Sequence, residues 1–101
     1  MPIPGDLRAL DARTRLQGRW IGFEAETQLS DLQAIERRAK LKKRDAGLDV
    51  LILVVADTVR NRRVLAEHRE TLRGSFPLDT REVLAALGRG EAPTGDGIVI
   101  I

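Results

Sequence analysis

The chain contains no cysteine and a single histidine, His68, in 101 residues. Without cysteine there is no disulfide, no thiolate zinc site and no cysteine nucleophile. One histidine excludes a multi-histidine metal centre. A bound metal would need oxygen donors, which favours Mg²⁺, Mn²⁺ or Ca²⁺. Aromatics make up 3% of the residues, two Phe, one Trp and no Tyr, so the core must rest on Leu, Ile, Val and Ala. The longest apolar run, Val50 to Ala56, is far too short to span a bilayer. Met1-Pro2-Ile3-Pro4-Gly5 lacks the basic and apolar regions of a signal peptide. The cytoplasm is therefore the expected location, with no membrane partner. The chain also has no glycine-rich phosphate loop, no nucleophile elbow and no helix-turn-helix signature.

What is present is enough for one domain and one core. Hydrophobic residues make up 43% and charged residues 32%, with a formal net charge of +2. Such a mixture is unlike that of disordered chains. The modest positive balance is compatible with nucleic acid without requiring it, so the position of the bases matters more than their number.

The hydrophobic pattern predicts an α/β domain of order β-β-α-β-α-α-β. Residues 6–87 form the core, 88–97 a flexible loop with four glycines, and 98–101 a terminal strand. Asp6 to Arg15 reads as a strand, followed by a turn at Gln17-Gly18-Arg19. Trp20 to Thr27 alternates, with Ile21, Phe23 and Ala25 on one face and Trp20, Gly22, Glu24 and Glu26 on the other. Ser30-Asp31-Leu32-Gln33 fits a capping box for a helix running to about Asp45 and closed by Gly47. Leu32, Ile35, Ala39 and Ala46 share its apolar face. Leu48 to Ala56 reads as a central strand buried on both faces, with a parallel neighbour. Asp57-Thr58 caps a second helix to about Arg73, and Asp79 or Thr80 caps a third over Arg81 to Leu87.

Two constellations could carry chemistry. Asp11, Glu24 and Glu26 would lie on adjacent strands, the two glutamates roughly 7 Å apart. Three such carboxylates can hold a hard divalent cation with open water positions. Equally, the glutamates can pair with nearby arginines on a wet sheet face. The second constellation is the helix stripe Gln33, Arg37, Lys40 and Arg44, at spacing i, i+4, i+7, i+11. Six of the eight residues from Arg37 to Arg44 are basic. Such a helix can lie along a phosphate backbone, or it can be a solvated face whose long stems cover core edges. Asp57, Trp20 and His68 are weaker candidates. For them a helix cap, partial packing and an exposed mid-helix position are the simpler expectations.

The stretch PIPGDLRALDARTRL, then IGFEAETQLSDLQAIERRAKLKKRDAGLDVLILVVADT, and on through FPLDTREVLAAL to GIVII resembles the C-terminal domain of actinobacterial XRE-type helix-turn-helix regulators. That domain in turn resembles the PD-(D/E)xK, restriction-endonuclease-like core, which implies a two-layer or three-layer arrangement on a mixed sheet. By this resemblance Asp11 matches the first Asp, Glu24 the Glu, and Gln33 and Arg37 the helix positions. The lysine position holds Glu26, which a few active nucleases of the superfamily also carry.

Two expectations follow from the resemblance. One is a catalytically silent accessory domain of a transcriptional regulator, acting in nucleic-acid binding through Arg37, Lys40 and Arg44, or in homodimer assembly through the terminal strand. The other is a Mg²⁺- or Mn²⁺-dependent phosphodiesterase. In it Asp11 and Glu24 hold the metal, Glu26 is ligand or base, and Gln33 with Arg37 holds the scissile phosphate.

Overall fold

The computed structural model describes residues 12–101. The expected strand start at Asp6 and the candidate Asp11 lie outside them. The elements run β1 (Ala12–Leu16), β2 (Arg19–Glu26), α1 (Leu32–Asp45), β3 (Val50–Val55), α2 (Val59–Glu67), α3 (Arg69–Ser75), α4 (Thr80–Gly88) and β4 (Gly97–Ile100). They form a four-stranded mixed sheet in the order β1-β2-β3-β4. The α/β class expected from the sequence is the one observed, with one helix more than anticipated.

β1 and β2 form an antiparallel hairpin. Gln17 (φ 54°) and Gly18 (φ 76°) make its two-residue turn, in the left-handed region that the primed hairpin turns require. β2–β3 and β3–β4 are both parallel, as the unbroken apolar run of β3 implies.

All six residues of β3 are buried, and their alternation divides the core in two. Leu51, Leu53 and Val55 pack with Ile35, Ala39, Leu72 and Phe76, so α1 and α3 cover that side, with Val64 and Leu65 of α2 at its margin. Val50, Ile52 and Val54 pack with Ile21, Val83 and Val99, so α4 covers the other. The architecture is a three-layer sandwich. Each such fully buried aliphatic side chain contributes about 1.5–3 kcal/mol relative to exposure.

Gly22 leaves room on the α1 side, where Leu48 packs over it: a Cβ there would meet the Leu48 side chain, which would have to shift. Trp20 N–H donates to Asp49 Oδ2 (2.7 Å) and Asp49 N–H to the Trp20 carbonyl (2.8 Å), which fixes the entry to β3.

Two boundaries differ from the sequence expectation, the cap of α1 and the division of the second helix, while two caps fall on one of the residues expected. The N-cap of α1 is Asp31, whose side chain accepts from Ala34 N–H at 3.1 Å. Ser30 and Gln33 do not form the expected capping box. The cap of α2 is Thr58, which accepts from Asn61 N–H at 3.0 Å, while Asp57 turns to Arg62. The single second helix is two helices, broken at the exposed His68. The cap of α4 is Asp79, in a complete capping box with Glu82.

The segment between α4 and β4 is irregular but fastened. Ala92 and Pro93 are buried, Ala92 N–H donates to Gln17 Oε1 (2.9 Å), and Asp96 accepts from Leu51 N–H (2.9 Å) and Lys43 Nζ (3.1 Å). β4 pairs with β3 of its own chain. Its outer edge is occupied by Leu78 O, which accepts from Ile98 N–H (3.1 Å), and by Thr80 Oγ1, which accepts from Ile100 N–H (3.1 Å).

Candidate nucleic-acid interface and the carboxylate pair

The alternation of β2 places Glu24 and Glu26 on the face opposite Ile21 and Phe23, as its pattern predicts. That face is not open to water, because α1 lies across it. Glu26 Oε1 accepts from Arg38 Nη2 at 2.7 Å, and Glu24 Oε2 lies 2.9 Å from Lys42 Nζ. The Glu24 oxygen is fully buried and has no aligned hydrogen bond, so its contact with the ammonium is an ion pair rather than a directed bond. The side chains of Glu24 and Glu26 are 22% and 17% exposed.

The spacing explains the pairing. Two residues along a strand advance about 7 Å, and four along a helix advance about 6 Å. The order is reversed, Glu24 with Lys42 and Glu26 with Arg38, as it must be when a helix runs back along the strand it follows.

Ile35 and Ala39 of α1 are buried against the sheet. At 3.6 residues per turn, Arg38 and Lys42 flank that inward face. Gln33, Arg37, Lys40 and Arg44 point the opposite way, and all four are exposed. The candidate set therefore separates. Gln33 and Arg37 lie on the outer side of α1, whereas Glu24 and Glu26 lie under its inner side. The bases that meet the glutamates, Arg38 and Lys42, were not among the expected site residues. Their offset from Ile35 and Ala39 is the signal that marks them.

In this arrangement Glu24 and Glu26 are each engaged by a base of α1. Among the described residues no group of three or more His, Asp or Glu side chains is placed to hold a metal ion. Compared with known family models, curated proteins and solved structures, the chain matches none. The geometry of the site thus stands by itself.

The stripe on α1 keeps its positive charge. Arg44 pairs with its neighbour Asp45 at 3.1 Å. Arg37 and Lys40 have no ion-pair partner among the described residues. From Arg37 to Arg44 the helix advances about 10 Å, a length over which one DNA strand presents about three phosphates.

The weaker candidates have structural positions. Asp57 receives a two-pronged bond from Arg62, Nε to Oδ1 at 2.6 Å and Nη2 to Oδ2 at 3.1 Å. That bond holds the Asp57 carboxyl below its usual pKa of 3.8 and raises that of Arg62. Trp20 is half-buried and lies under Arg13 and Arg15, whose guanidinium carbons are 4.8 and 5.6 Å from the ring centre. His68 is exposed. No helix of the described residues is long and apolar enough to cross a membrane.

Sequence reasoning missed Asn61, the one buried polar side chain among the described residues. Its Oδ1 accepts from Leu29 N–H (3.0 Å), and its Nδ2 donates to the carbonyls of Thr27 (3.0 Å) and Ala56 (2.9 Å). It clamps the β2–α1 loop to the end of β3.

Proposed function

We propose that the protein is a nuclease-like accessory module without catalysis of its own, which lies along a nucleic-acid backbone through the outer face of α1, beside the DNA-binding unit of a transcriptional regulator. The observation that carries the reading is the division of labour on α1. Arg38 and Lys42 flank the inward face and pair with Glu26 and Glu24. Arg37 and Lys40 face outward, without an ion-pair partner among the described residues. A cation that pairs with phosphate releases condensed counterions, so such a face gives salt-dependent and sequence-tolerant binding.

The test is fluorescence anisotropy with a labelled DNA duplex between 50 and 200 mM salt. The wild-type chain should bind with a steep salt dependence. The triple variant Arg37→Gln/Lys40→Gln/Arg44→Gln should bind more weakly, with the slope of log K against log salt reduced by about 2–3. Binding that ignores salt, or survives the triple variant, would refute the interface. Mn²⁺-dependent cleavage of plasmid that disappears in Glu24→Ala would instead establish the phosphodiesterase.

A further inference from the structure

A cleft of about 470 Å³ opens between the α2–α3 pair and the β4–α4 side of the molecule, away from the carboxylate pair. Its apolar lining includes Leu65, Leu72, Phe76 and Ile98. Leu72 and Phe76 are core residues whose edges reach the cleft. The chain bends at His68, and residues on both sides of the bend line the opening. The volume lies in the range of small-molecule sites, which combine an apolar lining with a few placed polar groups.

The charge around the opening is unequal. Arg62 is neutralised by Asp57. On the facing wall Asp79 and Glu82 bond each other's backbone N–H in the capping box of α4 and keep their negative charge, so the cations are confined to the α2–α3 wall. Arg69 and Arg73 remain. They lie one turn apart on α3, both line the cleft, and neither has an ion-pair partner among the described residues. A guanidinium fork suits a carboxylate or sulfonate.

We infer that this cleft binds a small amphiphilic anion, its acidic head on Arg69 and Arg73 and its apolar body over Leu65, Leu72, Phe76 and Ile98. The inference is independent of the α1 surface. The occupant is a molecule with one anionic group and a hydrocarbon or aryl body.

The probe is 8-anilinonaphthalene-1-sulfonate, titrated into folded protein and followed by fluorescence, with circular dichroism confirming the native state because the dye also binds partly unfolded chains. Saturable binding at one site is expected. Decanoate should displace the dye at least tenfold better than decan-1-ol, and Arg69→Gln/Arg73→Gln should weaken binding at least tenfold. Ala66→Phe, at a cleft-lining exposed position, should abolish it by filling the space. In the wild-type chain the amide NMR signals of Leu65, Leu72, Phe76 and Ile98 should move on titration, a readout that needs no variant. Absence of saturable binding, equal displacement by the neutral alcohol, or shifts that map elsewhere would each overturn the assignment.

Discussion

Asn61 holds three segments with one amide group. It reads as an ordinary polar residue between two arginines at the start of a helix, and nothing local marks it as buried. Only when the loop at Thr27–Leu29 meets the end of β3 do two carbonyls and one N–H need a common partner. Asn61→Ala leaves these groups unsatisfied in a dry place. It should cost about 3 kcal/mol, measured as a fall in the urea midpoint at unchanged slope. Asn61→Asp keeps the acceptor for Leu29 but sets a carboxylate against two carbonyls, and it should cost at least as much. The Asp57–Arg62 pair makes a second prediction at this scale. Because the folded Asp57 carboxyl titrates below 3.8, the pair's contribution is present above that value. It is lost as pH falls through the lower folded pKa. Carbon-detected NMR titration should find the Asp57 midpoint below 3.8 in the wild type and shifted up toward it in Arg62→Gln.

At the scale of elements, β2 and α1 show what the sequence carried and where it fell short. The two faces of β2, the hairpin turn at Gln17-Gly18, the buried β3 and the positions of α1 and α4 were all legible, because each is written in local periodicity. What covered the carboxylate face was not, since it depends on the rotation of α1 about its axis. Ile35 and Ala39 set that rotation, and a reading by basic spacing alone chose the outward stripe over the inward pair. The break at His68 was illegible for a different reason. Leu65, Leu72 and Phe76 are spaced by seven and four, as a continuous helix requires, and no glycine or proline lies between Leu65 and Leu72. The pairing of α1 with β2 is open to a double-mutant cycle on Glu26→Gln and Arg38→Gln. Arg38 is 56% exposed, so solvent screens the pair and the coupling should be about 0.3–1 kcal/mol. A coupling of zero would mean that the Glu26–Arg38 pair adds nothing to holding α1 over β2.

Over the whole molecule the charges are sorted by layer. α1, α2 and α3 hold eleven of the seventeen Lys and Arg residues and only four of the fifteen Asp and Glu, whereas α4 holds one of each. The three helices of one layer are therefore strongly basic and the helix of the other is neutral, although Glu24, Glu26, Asp57 and Asp96 pair with part of that basic charge. Such an asymmetry orients a protein toward a polyanion before any contact forms. If the α1 surface is the centre of a nucleic-acid interface, the exposed Arg60 and Arg63 of α2 can extend it, being in the same layer and without ion-pair partners among the described residues. Arg60→Gln/Arg63→Gln should then weaken duplex binding and lower the salt slope by about 1–2. Arg81→Gln/Arg89→Gln, which removes the same charge from α4 and its cap, should leave the slope unchanged. Equal losses from the two pairs would show that binding follows net charge rather than the charged side, and the α1 interface would lose its support.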